Sequence, residues 1–300
     1  MKRFFILATA AIVALASCAK TEVVYKDAPE EISFKQVTNV MTKAAHTLNS
    51  GNLGVFAHQG TSEYFMNILF GWDGSSFTAA KYWPYDDGAD GGKLDFTVYY
   101  PHVAGADYNH LTYKLTIPGV TADDEHYYGK QRYLKTSKGN SATAVELQHL
   151  SAAVVVTADL GSLYTLQSVT LKGATTSGNM TVTYNEDGTL KEVETTTPNA
   201  TADLPCIVTE SVEGTPTLVN KTSTTPLYVL PGDQTSFEVV FKQNSGAGTV
   251  HTKSIVLSES DWTANYKYTY AIGIASTGAI SFTASVEDFS PVADKPLTLQ

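Results

Sequence analysis

Apolar residues alternate with polar ones along most of the chain, in short runs that end at Gly, Pro, Asn or Asp. This period of two places one side of an extended strand in a core and the other in water. We therefore predict antiparallel strands with one wet face. The apolar positions of the clearest runs are Leu94, Phe96 and Val98; Leu111, Tyr113, Leu115 and Ile117; Met180, Val182 and Tyr184; Tyr266, Tyr268, Tyr270, Ile272 and Ile274; and Ile280, Phe282, Ala284 and Val286.

Turn-forming residues separate these strands. The sequence Asn185-Glu186-Asp187-Gly188 predicts a tight hairpin turn, because Gly and Asn tolerate the positive φ angles that such turns need. Pro118-Gly119 and Pro231-Gly232 are predicted to end their strands. No segment keeps a 3.6-residue apolar period over about a dozen positions, so helices should be few and short. The predicted fold class is mainly β, with antiparallel sandwiches.

The chain is long enough for two domains, and we predict the division near residue 146. The segment from Tyr133 to Asn140 is polar and basic, and a new apolar run begins at Val145 and continues to Val156. The predicted domains are residues 31–145 and 146–300. Both have an ordinary domain size.

The N-terminus has the order of an export signal. Lys2 and Arg3 precede an apolar run over residues 4–15, which is about half the ~20 residues needed to span a bilayer. The run closes with Leu15-Ala16-Ser17-Cys18, the order of a bacterial lipobox. We therefore predict a signal peptide over 1–17, lipidation of Cys18 and a tether over 18–30, with acyl chains holding the protein on the outer membrane.

Charge and cysteine content exclude other classes of protein. The formal net charge is −10 and Lys and Arg form no cluster, whereas a nucleic-acid surface needs such a cluster to neutralise phosphates. No nucleic-acid partner is therefore expected. Cys206 is the second of two cysteines, so the chain cannot form an internal disulfide once Cys18 is lipidated.

No motif of catalysis or cofactor binding occurs in the sequence, neither a zinc-protease motif nor a phosphate-binding loop nor a nucleophile elbow. The seven histidines lie far apart along the chain. We predict no catalytic residue, no cofactor and no metal site. The acidic loop Asp86-Asp87-Gly88-Ala89-Asp90 lacks the spacing of a calcium-binding loop, and we interpret it as a solvated connection. Whether this loop binds an ion stays open.

Several segments follow one another in the order of a known family. They are Ile32-Ser33-Phe34, residues 52–57, Tyr99-Tyr100-Pro101, residues 145–152, residues 262–268 and Val286-Glu287-Asp288-Phe289. This order resembles the fimbrillin family of Gram-negative bacteria, the subunits of type V pili. The resemblance covers most of the chain. The last segment ends in Phe289, where the family usually has Trp.

The resemblance implies two transthyretin-like sandwich domains, a lipoprotein precursor, a position on the cell surface and assembly with other fimbrial subunits without catalysis. In the family, a protease removes an N-terminal strand and a strand of another subunit fills the groove. Here the removable strand would be 32–40, with cleavage between Lys43 and Ala44, although the family's best-known members are cut after Arg. The donor would be the tail 290–300, with Val292, Leu297 and Leu299 as its apolar residues.

Three alternatives stay open. Lys43 could be a solvated loop residue of a chain that is never trimmed, which would suit an anchor or accessory subunit. The tail could pack on its own domain. The seventeen Tyr and three Trp also suit a monomeric glycan-binding surface lipoprotein. The rings expected to face such a ligand are those that flank turns in the first domain, Trp72, Tyr82, Trp83 and Tyr85.

Overall fold

All regular structure in the described part of the chain is β-strand, which confirms the mainly β prediction. No helix in this part could cross a membrane. The predicted short helices do not occur in it either. A computed structural model describes residues 30–40, 45–84, 92–136, 144–159, 163–208, 227–233, 236–246, 248–257, 261–274, 278–288 and 295–296.

The described part of the chain contains twenty-three strands. In chain order they are β1 (Glu31–Phe34), β2 (Gln36–Val40), β3 (Ala45–Thr47), β4 (Asn52–Gln59), β5 (Ser62–Trp72), β6 (Phe77–Tyr82), β7 (Leu94–Tyr100), β8 (Asp107–Asn109), β9 (Lys114–Thr121), β10 (Tyr127–Gly129), β11 (Tyr133–Thr136), β12 (Ala144–His149), β13 (Ala152–Asp159), β14 (Tyr164–Tyr184), β15 (Leu190–Val208), β16 (Leu227–Val229), β17 (Gly232–Asp233), β18 (Ser236–Gln243), β19 (Val250–Val256), β20 (Asp261–Trp262), β21 (Tyr266–Ile274), β22 (Ile280–Asp288) and β23 (Lys295–Pro296).

These strands form four sheets. The largest has the order β1-β6-β5-β4-β7-β10-β12-β2-β3, and β11 pairs with β7 beside this path. A second sheet has the order β19-β18-β14-β9-β8, with β15 also on β14. A third has the order β16-β13-β21-β22-β23, and β17 pairs with β20 alone. The pairs are antiparallel except β12 with β2 and β13 with β21.

The hairpin of β14 and β15 connects the two halves of the molecule, by which we mean the residues before and after the predicted division near residue 146. β14 has 21 residues and pairs with β18 near its start, from Tyr164, and with β9 near its end, up to Thr183. β15 lies along its other edge. The predicted turn closes this hairpin, and Gly188 has the positive φ of +88° that favours glycine. The turn prediction is confirmed.

Three apolar cores hold the sheets together. One lies within the largest sheet and contains Phe34, Phe70 and Phe96. The opposite face of that sheet packs on the far half of the β14–β15 hairpin, around Tyr99 and Tyr184. A third core lies between the second and third sheets. Its buried residues include Val154, Leu171, Phe237, Trp262, Tyr268 and Tyr270.

Most of the predicted alternation is confirmed, since Leu94, Phe96, Val98, Met180, Val182, Tyr184, Tyr268, Tyr270, Ile272, Ile274 and Val286 are buried. The run beginning at Leu111 is wrong in its first half. Leu111 is 85% exposed, and β9 begins only at Lys114. The side chain of Asn109 accepts hydrogen bonds from the backbone N–H groups of Leu111 and Thr112, which folds this segment into a turn.

The prediction that Pro118-Gly119 ends a strand is also wrong. Both residues lie inside β9, at a bulge opposite Asn179. Gly119 has a φ of +67°, and its N–H donates to the Asn179 side chain at 3.1 Å. A bulge absorbs the missing proline N–H without ending the strand. In contrast, Pro231-Gly232 does follow the end of β16 at Val229.

The domain division near residue 146 stays a prediction. It falls inside β12, which pairs in the largest sheet, whereas the next strand, β13, pairs in the third sheet. The chain passes from one sheet to the other at Leu150 and Ser151. β8 and β9, which precede the division, share the second sheet with β14.

Candidate functional site

The N-terminal strand β1 closes one end of the largest sheet. It pairs antiparallel with β6, with Glu31 opposite Tyr82 and Phe34 opposite Phe77. The N–H of Trp83 donates to the carbonyl of Glu30 at 2.9 Å, and the N–H of Ala80 donates to the Glu31 carboxylate at 2.9 Å. β1 therefore satisfies an edge that would otherwise expose unpaired backbone groups.

The next strand, β2, lies near the other end of the same sheet, between β12 and the outermost strand β3. It pairs parallel with β12, with Val37 opposite Val145, and antiparallel with β3. The N–H of Leu48 donates to the carbonyl of Val37 at 2.8 Å. One continuous segment thus leaves β6 at Phe34 and joins β12 two residues later, at Gln36.

Three apolar side chains anchor this segment in the core. Ile32, Phe34 and Val37 are fully buried. The ring of Phe34 makes edge contacts with Phe70 and Phe96, with centroids at 5.3 and 5.5 Å. A fully buried side chain of this kind contributes about 1.5–3 kcal/mol, so the three anchors together contribute about 5–9 kcal/mol. The segment is held firmly while its chain is intact.

A polar cleft of about 300 Å³ lies beside β2. Thr38, Lys130, Tyr133 and Glu146 are among the residues that line it. The hydroxyl of Tyr133 donates to the backbone carbonyl of Glu146 at 3.0 Å and accepts from its N–H at 2.7 Å. Burial raises the pKa of Tyr133 well above its ordinary value, so this hydroxyl stays protonated.

An ion pair forms the rim of this cleft. The Lys130 ammonium lies 3.0 Å from the Glu146 carboxylate, and both side chains are close to half exposed. Exposed pairs contribute little to stability. The pair places two charged groups beside the β12 edge. The sequence predicts no site at Lys130, Tyr133 or Glu146, because it carries no local signal that brings these three residues together.

The C-terminal tail lies partly on its own half of the molecule. β23 pairs antiparallel with β22, with Pro296 opposite Ser285 and Lys295 opposite Val286. This short contact agrees with the alternative in which the tail packs on its own domain. Proline cannot donate a ladder hydrogen bond, so the contact is a weak one.

Three of the four aromatic residues expected to face a ligand lie in the described part of the chain, and they do not form one exposed surface. Trp83 is 5% exposed and packs edge-on against Phe96 at 5.7 Å, so its buried ring offers no face to a sugar. Trp72 is partly buried and packs against Phe77 at 5.1 Å. Tyr82 is 44% exposed. Burial of the two tryptophans follows from the apolar core beneath β6, which flanking turns do not reveal.

A buried polar cluster lies at the tip of the β14–β15 hairpin. The Arg132 guanidinium is buried, donates to the carbonyl of Glu186 at 2.7 Å and lies 4.1 Å from the Tyr113 ring. His58 stacks on His110 nearby, with ring centroids at 4.6 Å. Burial, with a smaller effect of His110, lowers the pKa of His58 to about 4. These side chains fasten the hairpin tip to the first half.

Within the described residues, no three His, Cys, Asp or Glu side chains are grouped as metal ligands would be. Other predicted site residues lie outside the described part of the chain. They are Cys18, Lys43, Ala44, Tyr85, the acidic loop 86–90, Val292, Leu297 and Leu299. The roles assigned to them stay predictions. Cys206 is half-buried, and burial raises the pKa of its thiol to about 12.

Comparison with known proteins gives a family and a fold. The model of a family described as fimbrillin-like matches residues 38–288. No curated protein is a significant match. A crystal structure from Bacteroides uniformis, of a protein assigned to cell adhesion, is 17% identical with a TM-score of 0.50 and covers 86% of this chain and 98% of its own.

Two further solved structures are similar over most of the chain. A protein from Bacteroides ovatus, also assigned to cell adhesion, is 12% identical with a TM-score of 0.50 and covers 90% of this chain and 100% of its own. The tip fimbrial protein Mfa3 from Porphyromonas gingivalis is 12% identical with a TM-score of 0.43, covering 86% of this chain and 98% of its own. At these identities, the two structures with a TM-score of 0.50 show a shared fold.

Proposed function

Because this chain belongs to the fimbrillin-like family, we propose that it is a structural subunit or accessory adhesin of a cell-surface fimbria. In this proposal it is lipidated at Cys18, reaches the outer membrane, and joins other fimbrial subunits by proteolysis-assisted donor-strand exchange. The observation that carries the mechanism is the segment formed by β1 and β2, which forms one edge of the largest sheet through β1 and pairs with β12 near the other edge through β2. No catalytic residue is needed.

Loss of this segment would open a groove at two places. The edge of β6 would lose its partner along Phe77 to Tyr82, and the edge of β12 would lose its partner from Ala144. The positions of Ile32, Phe34 and Val37 would become apolar holes. Unpaired strand edges with adjacent holes are the features that bind an added strand, because the backbone supplies affinity and the holes supply selectivity.

The proposed cleavage between Lys43 and Ala44 suits this mechanism. It lies in the connection between β2 and β3, so a cut there breaks the covalent link between the whole β1–β2 segment and the rest of the chain. Among the described strands, β3 pairs with β2 and not with β12, so loss of β2 would leave this edge of β12 unpaired. The cut segment would stay bound through its anchors until another strand displaces it.

We propose that the tail 290–300 of this chain is the donor strand that it inserts into the groove of another subunit. In this chain the described part of the tail makes only the short pairing of β23 with β22. A strand held by so few ladder positions can detach at low cost, because most of its backbone groups gain equivalent hydrogen bonds to water. The proposal therefore needs no unfolding of the third sheet.

The test is the N-terminal mass of the protein, measured separately in sheared fibres and in outer membranes of the native cells. We expect chains that begin at Ala44 in the fibres. A Lys43→Gln variant should keep acylated Cys18 and fail to enter fibres, whereas Lys35→Gln, at an exposed position between β1 and β2, should be processed normally. Wild-type fibres built from chains that begin at Cys18 would contradict the trimming.

A further inference from the structure

The three anchors of the β1–β2 segment have an unusual spacing. Ile32 and Phe34 are two residues apart, as on one face of a strand, but Val37 follows after three. The odd step arises at Lys35, where the segment leaves the β6 edge and crosses to the β12 edge. Any strand that replaces this segment completely must therefore place apolar residues at positions i, i+2 and i+5.

The middle hole is the most selective of the three. Phe34 is enclosed by Phe70 and Phe96 in edge-on contacts, and Ile32 belongs to the same core. Edge-on aromatic contacts add about 0.5–1.5 kcal/mol beyond burial of area. A leucine in this hole would forfeit them and leave unfilled space, while a charged side chain would be buried without a partner.

The chain's own tail does not reproduce this pattern in any register. When Leu297-Thr298-Leu299 is placed on Ile32-Ser33-Phe34, leucine occupies the aromatic hole, and no residue of the tail 290–300 falls at the Val37 position. When Val292 takes the Ile32 position and Leu297 the Val37 position, Asp294 falls in the aromatic hole.

One further register matches the aromatic residue. Phe289 and Val292 have the spacing of Phe34 and Val37, but this register places Glu287 at the Ile32 position. It would also remove Glu287 from β22, where its backbone lies opposite that of Lys267 in the antiparallel pairing with β21. A buried carboxylate without a partner and a broken sheet both oppose this register.

We propose that the opened groove of this chain selects a strand from a different polypeptide and discriminates against the tail of a second copy of itself. The partner strand carries an aliphatic residue, an aromatic residue two positions later and a small β-branched residue three positions after that. It also carries a short polar residue next, at the position of Thr38 beside the polar cleft. This inference rests on the proposed removal of the β1–β2 segment.

The consequence is a defined place in an assembly. A groove that rejects its own tail cannot propagate a homopolymer, so each copy of this chain joins a different subunit at its groove. A strand lacking the third anchor would leave the β12 edge open. Burial of one valine corresponds to roughly 10- to 100-fold in affinity, so this loss alone is measurable.

The experiment uses the full mature chain with a specific protease site in the 41–44 connection, cleaved in the folded state. Labelled peptides are added and their exchange with the cleaved segment is followed to equilibrium by fluorescence anisotropy. The peptides are residues 30–40, the same peptide with Phe34→Leu, residues 289–300, and that tail peptide with Leu299→Phe. The two substitutions form a matched pair that tests the aromatic hole from both sides.

We expect the 30–40 peptide to enter the groove and the tail peptide to bind at least about 10-fold more weakly. Phe34→Leu should weaken the first peptide and Leu299→Phe should strengthen the second. Equal binding of the unmodified 30–40 and tail peptides would overturn the discrimination while leaving the removable strand intact. If the 30–40 peptide itself cannot re-enter the cleaved protein, the removable strand is wrong and the inference falls with it.

Discussion

The contact between Gly54 and Tyr99 gives the sharpest test of the packing. These residues face each other across β4 and β7, and the Tyr99 ring covers the glycine. A Cβ atom added at Gly54 would lie 2.0 Å from Cε1, 2.1 Å from Cζ and 2.5 Å from the hydroxyl of Tyr99. Such distances do not occur in folded proteins, so Gly54→Ala must displace the ring or the strand.

The ring has little freedom to move. Tyr99 is fully buried, and its hydroxyl lies 2.7 Å from the side-chain oxygen of Asn67 and accepts from the N–H of Val103 at 3.0 Å. Overpacking costs about 1–3 kcal/mol, and each lost hydrogen bond adds about 1 kcal/mol. We expect Gly54→Ala to lower the free energy of unfolding by about 3–5 kcal/mol.

Urea unfolding followed by circular dichroism measures this change, and two variants control it. Gly71→Ala adds a Cβ that meets its nearest atom at 3.5 Å, an ordinary contact, so its effect should be close to zero. Tyr99→Leu removes the atoms that clash, so adding Gly54→Ala to it should cost less than about 1 kcal/mol. An equal loss of unfolding free energy in Gly54→Ala and Gly71→Ala would contradict the predicted clash. The same holds if Gly54→Ala costs as much in the Tyr99→Leu background as in the wild-type protein.

Three further predictions concern the anchor, the hairpin tip and pH. Phe34→Ala should lower the free energy of unfolding by about 3–5 kcal/mol and speed hydrogen exchange in β1, whereas Lys35→Ala, at the exposed position between β1 and β2, should change both readings little. Arg132→Lys should cost about 1–3 kcal/mol and speed exchange at Gly188, because an ammonium cannot reproduce the guanidinium fork. Burial lowers the pKa of His58 and His149 to about 4, so their contribution to the free energy of unfolding is full above about pH 6.5 and falls toward pH 4, by up to about 3 kcal/mol for each histidine. The His149→Gln variant should show a smaller change of the urea midpoint with pH. Midpoints of the wild-type protein that stay constant between pH 6.5 and pH 4 would contradict this prediction.

The strands that the sequence predicted best are those with one buried face. Tyr268 and Tyr270 alternate with polar residues and are buried as expected. Apolar–polar alternation does not occur in β4, because both faces of this strand are buried between two cores. Its apolar run could not reveal which residues face which core. Asn109 is a turn-forming residue, and its side chain accepts a hydrogen bond from the backbone N–H of Leu111. The apolar alternation after it nevertheless led to the wrong prediction of a strand beginning at Leu111.

The candidate site was only partly predictable. The resemblance to the fimbrillin family implied that segment 32–40 is a strand to be removed, and residues 31–34 and 36–40 do form strands. Local patterns could not show that Ser33 pairs with Thr78 while Val37 pairs with Val145, because pairing over such distances depends on the whole topology. The burial of Trp83 had the same origin. Its neighbours in the core come from strands far away in the sequence.

The long strand β14 gives the molecule mechanical continuity. It is hydrogen-bonded to β9 in the first half and to β18 in the second, and these bonds run perpendicular to its length. A tensile load that pulls the two halves apart along this strand stresses many bonds side by side, so they must rupture together and not one after another. The hydrogen bonds of β14 to β9 and to β18 would therefore share such a load along the strand.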